Sequence, residues 1–505
     1  MRKKQLEQAQ TLLRKHLPET EALKLIPEAM ARKYAAIPVA IEGNVLTVAM
    51  VNPSDIFALE ALASQTQMRI EPEAASAEEV HEAIDFNYKA YDEIEKQISN
   101  ITLPGEKSTQ QIKLDTSTEA PVAQALTLIV DEAVKARASD VHLQTEEDRL
   151  RVRYRVDGTL LDMFSLPLET ATPLISRIKI LASMNIADHH RPQDGQFSVK
   201  TKGRLIDVRV GTIATVYGEM AALRLLDKSR AMINLPELGF LPDSLEKFEK
   251  MLKVPYGMIL ASGPTGAGKT TTLYASINRL DKIGRNIITI EDPVEYRFKN
   301  INQIQVNPRA GITFASGLRS ILRLDPDVIL VGEIRDAETA NIAIQSALTG
   351  HLVLSSIHAN DAIGVVMRLI DLGVEPFLVS SALIGVVAQR MVRTICPNCG
   401  QMKKVPIIEQ LTYSKEVGEE RDEFLYGSGC KACANSGYKG RTGIFEILQA
   451  TDELRTLLLN EASSSQLREQ AIKDGLVTLL KDGMYKVKEE ITTPSEVLRN
   501  AYTVE

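Results

Sequence analysis

Gly263-Pro264-Thr265-Gly266-Ala267-Gly268-Lys269-Thr270 fits G-x-x-x-x-G-K-[ST] at every fixed position. Its three glycines let successive backbone N–H groups point inward without Cβ clashes, forming a concavity for phosphate oxygens. Met258–Ala261 ahead of the loop is a short apolar run, long enough for one buried strand. Leu273–Leu280 behind it lacks Gly and Pro and reads as a helix. The N-terminus of such a helix adds its dipole to a bound anion. Lys269 offers a point charge for the β/γ-phosphates and Thr270 a hydroxyl ligand for Mg²⁺, and Thr271 completes the candidate phosphate-binding set. These residues predict a nucleoside triphosphate as ligand.

Two strand ends carry carboxylates. Ile287–Ile290 is apolar and β-branched and runs into Glu291-Asp292-Pro293-Val294-Glu295. Acidic residues at the carboxyl end of a strand beside a phosphate loop can orient a magnesium-bound or attacking water. Asp327–Glu333 repeats the arrangement, with Gly332-Glu333 where the second nucleotide motif normally ends in Asp. That difference favours coupling to the metal through water over direct ligation. Arg319 and Arg323, spaced i, i+4, are expected on one face of the preceding helix. His351 and His358 bracket an expected strand, Leu352–Ser356, and each is equally suited to packing, capping or catalysis.

Cys396-Pro-Asn-Cys399 and Cys430-Lys-Ala-Cys433 use every cysteine in the chain, with thirty residues between the pairs. Paired C-x-x-C motifs in a reduced compartment predict tetrahedral thiolate ligation of zinc. No catalytic ligand set accompanies them, so the zinc is expected to be structural, stapling about 390–445, a stretch with little apolar core.

The elements that position these groups follow from pattern and punctuation. Arg149, Arg151, Arg153 and Arg155 alternate with Leu150, Val152, Tyr154 and Val156, and Asp157-Gly158 supplies a hairpin turn. One face is buried; the other is either a solvated strand face or a row of four functional guanidinium groups. A second hairpin, Phe197–Ile213, is expected to turn at Lys202-Gly203, with Arg209 on the face opposite Val208 and Val210. Between them His189-His190-Arg191-Pro192-Gln193-Asp194-Gly195 reads as a polar turn without a third metal ligand. The first 90 residues read as a small α/β domain. Helices are expected at Gln5–Leu17 and Pro27–Tyr34, a hairpin across Gly43-Asn44, and a capping box at Ser76–Glu79. Residues 91–119 have linker composition around Pro104-Gly105. A second domain is expected over 120–232, and a third over 233–505 that ends in amphipathic helices from Thr451 to Tyr502.

At 505 residues the chain is too long for one core. Its 44% hydrophobic and 25% charged content is that of a soluble globular protein. A net charge of −7 argues against whole-surface nucleic-acid binding. No stretch approaches the roughly 20 apolar residues of a membrane span, and the charged N-terminus is unlike a signal peptide. A cytoplasmic location is expected, with any membrane role mediated by partners.

At these residues the chain resembles the secretion ATPase superfamily, specifically the ATPases of type II secretion and type IV pilus assembly. Four family elements stand in order. They are the phosphate loop Gly263–Thr270, the aspartate box Thr289–Glu295, the atypical second motif Leu330–Arg335, and a histidine box holding His351 and His358. The tetracysteine insert looks like that of the assembly and secretion branch. The resemblance implies a RecA-like P-loop ATPase core with a zinc insert, preceded by an α+β (PAS-like) domain and the small α/β module. It implies hydrolysis of ATP with Mg²⁺, Glu295 activating the attacking water and Glu333 supporting the magnesium–water network. Arg191 and Arg209 of the second domain would reach the γ-phosphate when that domain closes. It further implies a cytoplasmic homohexamer recruited to the inner face of the cell membrane by a platform protein, with no nucleic acid. An Arg-Leu-Gly-containing motif, which binds cyclic di-GMP in some members, is missing from Met1–Ala31, and this argues against that ligand. The rival readings are a ring motor that moves nucleic acid and a nucleotide-binding scaffold without turnover.

Overall fold

The computed structural model describes residues 18–84 apart from 19, 78 and 82, residues 116–227 apart from 202 and 203, and residues 233–501 apart from 434. The expected helix Gln5–Leu17 and the turn Lys202-Gly203 lie outside the described residues. The chain divides into two compact units, residues 1–228 and 229–505.

The first unit opens with a three-stranded sheet of β1 (Ala36–Glu42), β2 (Val45–Met50) and β3 (Arg69–Ala74). β1 and β2 pair antiparallel around Gly43, whose φ of +61° lies in the left-handed region that glycine adopts readily. β3 returns parallel to β2 after the helix Ile56–Thr66, whose first turn is capped by Asp55 accepting from the Ala58 N–H at 3.1 Å. The capping box forms as expected: Ser76 N donates to Glu79 Oε2 and Glu79 N to Ser76 Oγ, both at 3.2 Å.

Six antiparallel strands follow: β4 (Ala138–Thr145), β5 (Arg149–Val156), β6 (Thr159–Pro167), β7 (Gln193–Thr201), β8 (Arg204–Thr215) and β9 (Gly218–Asp227). Their order is β6-β5-β4-β9-β8-β7. Helices Thr116–Lys135 and Ala171–Leu181 share one core with the sheet, into which Leu150, Val152 and Tyr154 of β5 point. β7 starts at Gln193, so the polar turn expected to run to Gly195 gives way to strand earlier, and the hairpin is longer than its apolar residues mark.

The second unit is built on a seven-stranded sheet. Its strands are β10 (Gly257–Ser262), β11 (Ile287–Glu291), β12 (Asn302–Gln305), β13 (Val328–Val331), β14 (Leu352–Ile357), β15 (Leu383–Ile395) and, beyond a small insert, β18 (Tyr438–Gln449). The order is β12-β11-β13-β14-β10-β15-β18, all parallel except the final pair. Met258 and Leu260 enter one core and Ile259 and Ala261 another. Burial on both faces explains why this strand reads as an unbroken apolar run.

Helix Phe314–Ile321 carries Arg319 but stops two residues short of Arg323, so the expected i, i+4 pair does not share a helix face. The insert lies between β15 and β18, which remain strands of the main sheet well inside the expected 390–445 bounds. It contains the hairpin β16 (Gly400–Lys404) and β17 (Glu423–Gly427) and the helix Ile407–Val417. Few of its apolar residues are buried, and Ile407, Ile408 and Leu411 are exposed. Val405, Tyr413 and Phe424 pack against Met484, Val487 and Val497 from the helices Leu479–Lys488 and Pro494–Ala501. Arg393 of β15 ties the last helix in place, donating to Glu496 through Nε at 2.9 Å and Nη2 at 2.8 Å.

Candidate functional site

β10 ends at Ser262 and the chain turns at once into the loop. Gly263, Gly266 and Gly268 have φ of +147°, +80° and +91°. A Cβ at Gly263 would lie 2.5 Å from the Gln389 carbonyl oxygen, so at this position glycine is required by space as well as by φ. Gly268 is the N-cap of helix Lys269–Arg279, which leaves its first N–H groups directed at the loop. Lys269 folds back, its Nζ donating to the carbonyls of Gly263 at 2.6 Å and Pro264 at 3.2 Å. Burial holds its ammonium below the usual lysine range; Glu333 offsets part of that, and Arg390 reinforces it. A phosphate group would relieve both the desolvation and the repulsion, so the residues present fit a polyphosphate.

Two side chains beside the loop escape the sequence patterns. Gln389 Nε2 donates to the Ala267 carbonyl at 2.7 Å, and Arg390 Nη2 to the Asn360 carbonyl at 2.6 Å. Both sit on β15, which pairs with β10 through Ser262 and Ala388. Only the register brings them there, and nothing in their own spacing marks it.

The two carboxylate-bearing strand ends differ sharply. Glu291 is 4% exposed and fully engaged: it accepts from Tyr274, from Thr289 Oγ1 at 2.6 Å and from Gln303 Nε2 at 3.1 Å. Glu295, four residues on, is partly buried beside the same helix, its N–H donating to the Tyr274 hydroxyl at 3.3 Å. Glu333 follows β13, paired with Arg335 and 3.7 Å from His358 Nε2, and it acts electrostatically on Lys269. A Cβ at Gly332 would lie 3.3 Å from the Glu291 Cα and from the Ile290 carbonyl oxygen. That close approach of β11 and β13 gives a physical reason for Gly where the usual motif has a larger residue.

The histidines part company. β14 runs parallel to β10, pairing Gly257 with Leu352 and Ser262 with Ile357. His358 therefore stands level with the start of the phosphate loop. His351 lies at the other end of the strand, about 20 Å away at the usual rise per residue. Its Nδ1 bonds the Ser346 carbonyl at 2.9 Å, at the C-terminus of helix Ala337–Leu348. The structure thus does not bring His351 to the loop that His358 flanks. The two histidines stand at opposite ends of β14, as their bracketing of the strand predicts.

In the first unit three arginines of the β5 row, Arg149, Arg151 and Arg155, are ion-paired. Arg151 meets Asp162 through Nε at 2.5 Å and Nη2 at 2.7 Å, and Arg149 meets Glu146 at 2.8 Å. Arg155 lies 3.7 Å from Asp140. Arg209 projects from β8 on this polar face and stands opposite Arg224 of β9. Arg191 is on an exposed turn whose Asp188 carboxylate accepts the His190 and Arg191 N–H groups, each at 3.1 Å. His189 is taken up by Glu219, at 2.7 Å, and Glu219 also pairs with the buried Lys179.

All four sulfur atoms of Cys396, Cys399, Cys430 and Cys433 lie within 4.8 Å of one another. Three pairs stand at 3.7, 3.9 and 3.8 Å. Tetrahedral thiolates about 2.3 Å from one zinc ion would stand about 3.8 Å apart, so the cluster fits that ion. The Cys430 N–H donates to Cys433 Sγ at 3.2 Å, the kind of main-chain support a charged sulfur needs.

Comparison with known proteins agrees with this geometry. Residues 115–499 match the family model described as "Type II/IV secretion system protein", and residues 9–92 match the MshEN domain. The type IV pilus assembly ATPase PilB of Myxococcus xanthus is 39% identical over 492 residues, covering 95% of this chain and 87% of the relative. Type II secretion system protein E of Dickeya dadantii is 41% identical over 484 residues, covering 96% and 91%. The pilus retraction motor PilT, solved with bound ADP, superposes with a TM-score of 0.52 at 26% identity, covering 74% of this chain and 95% of that one. DotB of Legionella pneumophila, with a TM-score of 0.56 at 21% identity over 79% and 98% of the chains, shares the fold. Phosphate loop, sheet order and kinship converge: the chain is an ATPase of the type II/IV secretion system family.

Proposed function

We propose that this ATPase converts ATP hydrolysis into domain motion that drives assembly of a type IV pilus or a type II secretion pseudopilus. The names of its full-length relatives support that role. The observation that carries the chemistry is the gathering of Lys269, Glu333 and His358 at the carboxyl ends of β10, β13 and β14, with Glu295 beside the loop's own helix. Lys269 and the loop N–H groups hold the β- and γ-phosphates. Thr270 would hold Mg²⁺ and Glu333 would orient it through water, and the ion when bound would neutralise developing phosphate charge. Glu295 takes the proton of the attacking water, while Glu291, tied by three donors, serves as frame. Arg191 and Arg209 supply further positive charge as the first unit closes. The four cysteines hold one structural zinc. A homohexamer acting at the inner face of the membrane through a platform protein completes the proposal.

Glu295→Gln is expected to keep ATP affinity and lose turnover by about 10²–10⁴, the usual worth of a positioned base. Lys269→Ala weakens nucleotide binding itself. Equilibrium binding and steady-state turnover separate the two, and normal turnover in Glu295→Gln would move the base elsewhere.

A further inference from the structure

Tyr274 lies on the phosphate-loop helix, five residues after Lys269, and is 3% exposed. A tyrosine hydroxyl has one donor and two acceptor sites. Here the donor goes to Glu291, and the acceptors receive the main-chain N–H groups of Glu295, at 3.3 Å, and Tyr296. The ring is packed by the same segment. It meets Phe298 edge-on, with centroids 4.9 Å apart and planes at 89°, and Tyr296 at 6.2 Å and 68°. From the far side Gln303 of β12 closes the frame. Its Nε2 donates to Glu291 Oε1 at 3.1 Å and to the Tyr296 carbonyl at 2.9 Å, and its Oε1 accepts the Phe298 N–H at 2.8 Å. Residues 295–298 follow β11 without regular structure of their own, yet side chains from two elements, Tyr274 of the helix and Gln303 of β12, fix their main chain.

We propose that Tyr274 is a positioning residue for hydrolysis, its hydroxyl fastening the main chain that carries Glu295 to the helix that carries Lys269. This rests on Glu295 being the group that activates water. A shift of the loop helix on nucleotide binding is then transmitted to the carboxylate through one hydroxyl. A base must sit within hydrogen-bond reach of the water it deprotonates, and a misplacement of about 1 Å can cost on the order of 10²-fold in rate. The alternative role, core packing alone, is preserved by phenylalanine, which keeps the ring contacts. Glu291 would retain its Thr289 and Gln303 donors, so the frame stays folded.

Tyr274→Phe is therefore expected to lower kcat by about tenfold to a hundredfold. Its Kd for ATP should stay within about twofold of wild type, because the phosphate loop is untouched. Hydrogen exchange of the full-length protein should quicken at the Glu295 and Tyr296 amides and stay unchanged at the loop. An unchanged kcat overturns the proposal, whatever the exchange. So does a parallel loss of kcat and ATP affinity with a lowered melting temperature, which would mean a packing role. Glu295→Gln, measured alongside, keeps the two ideas apart. Full turnover in that variant removes the base reading on which the proposal stands, whereas an inactive Glu295→Gln with a fully active Tyr274→Phe removes the positioning role alone.

Discussion

The phosphate loop and the cysteine-bearing insert both arise from short, fixed spacings of a few residue types, and they are stabilised by opposite means. β10 is buried at all six positions, between two apolar layers, and hands the loop a frame already in place. β16 of the insert is exposed at all five positions, and the insert's apolar residues complete a core only with the C-terminal helices. In the first region the sheet shapes the site and side chains fine-tune it. In the second the site's own side chains must act as the frame.

Metal removal breaks the comparison most directly. A structural zinc site contributes on the order of 10–16 kcal/mol of apparent binding free energy, most of it coupled to local folding. Zinc is expected at one ion per chain, and chelation or Cys430→Ser should unfold the insert and loosen the helices that pack on it. Nucleotide binding should persist, since Gln389, which bonds the loop, stands on β15 within the main sheet. Metal analysis, a melting curve and an ATP-binding assay read the three outcomes. A zinc-free protein that melts like wild type would erase the distinction between the regions.

Arg209 offers the next largest effect and carries the contrast into the first unit. Three arginines of β5, which β4 and β9 separate from β8, are neutralised by Asp162, Glu146 and Asp140, as on a solvated face. Arg209 stands opposite Arg224, which donates to Asp140 at 3.1 Å. On this partly exposed strand face Arg209→Ala should change stability by no more than about 1 kcal/mol. An arginine that reaches a transferring phosphoryl group is worth roughly 10³–10⁵ in rate, against about 0–1 kcal/mol of stability for a surface pair. A normal kcat would assign Arg209 to the same ion-paired surface as Arg151.

What the sequence made legible follows the same division. Loop, cysteine pairs and β-branched strand ends are local patterns, and each led to its element. Burial on both faces made β10 and β13 readable as unbroken apolar runs. Residues whose importance depends on register stayed hidden: Gln389 and Arg390 matter because β15 lies beside β10, and Tyr274 because β11 ends beside the loop helix. Arg323 misled because helical spacing was assumed past the point where the helix ends. His351 and His358 bracket β14 as their spacing predicts, but no spacing rule says which end of a strand faces a ligand.

That last pair gives the smallest and sharpest test. His351 Nδ1 bonds the Ser346 carbonyl near the end of helix Ala337–Leu348, an acceptor that also receives the Thr349 N–H at 3.2 Å and the Thr349 hydroxyl at 3.1 Å. A hydrogen bond of this kind contributes about 0.5–1.5 kcal/mol net, so His351→Ala should lower stability by about that much and leave kcat unchanged. His358 stands level with the phosphate loop and beside Glu333, and His358→Ala should lower kcat with little change in melting. The two substitutions are chemically identical and seven residues apart, so any difference between them measures position alone. If His351→Ala were to reduce turnover as much as His358→Ala, the two ends of β14 would both belong to the reaction. The sheet could then no longer be treated as a frame with its chemistry at one edge.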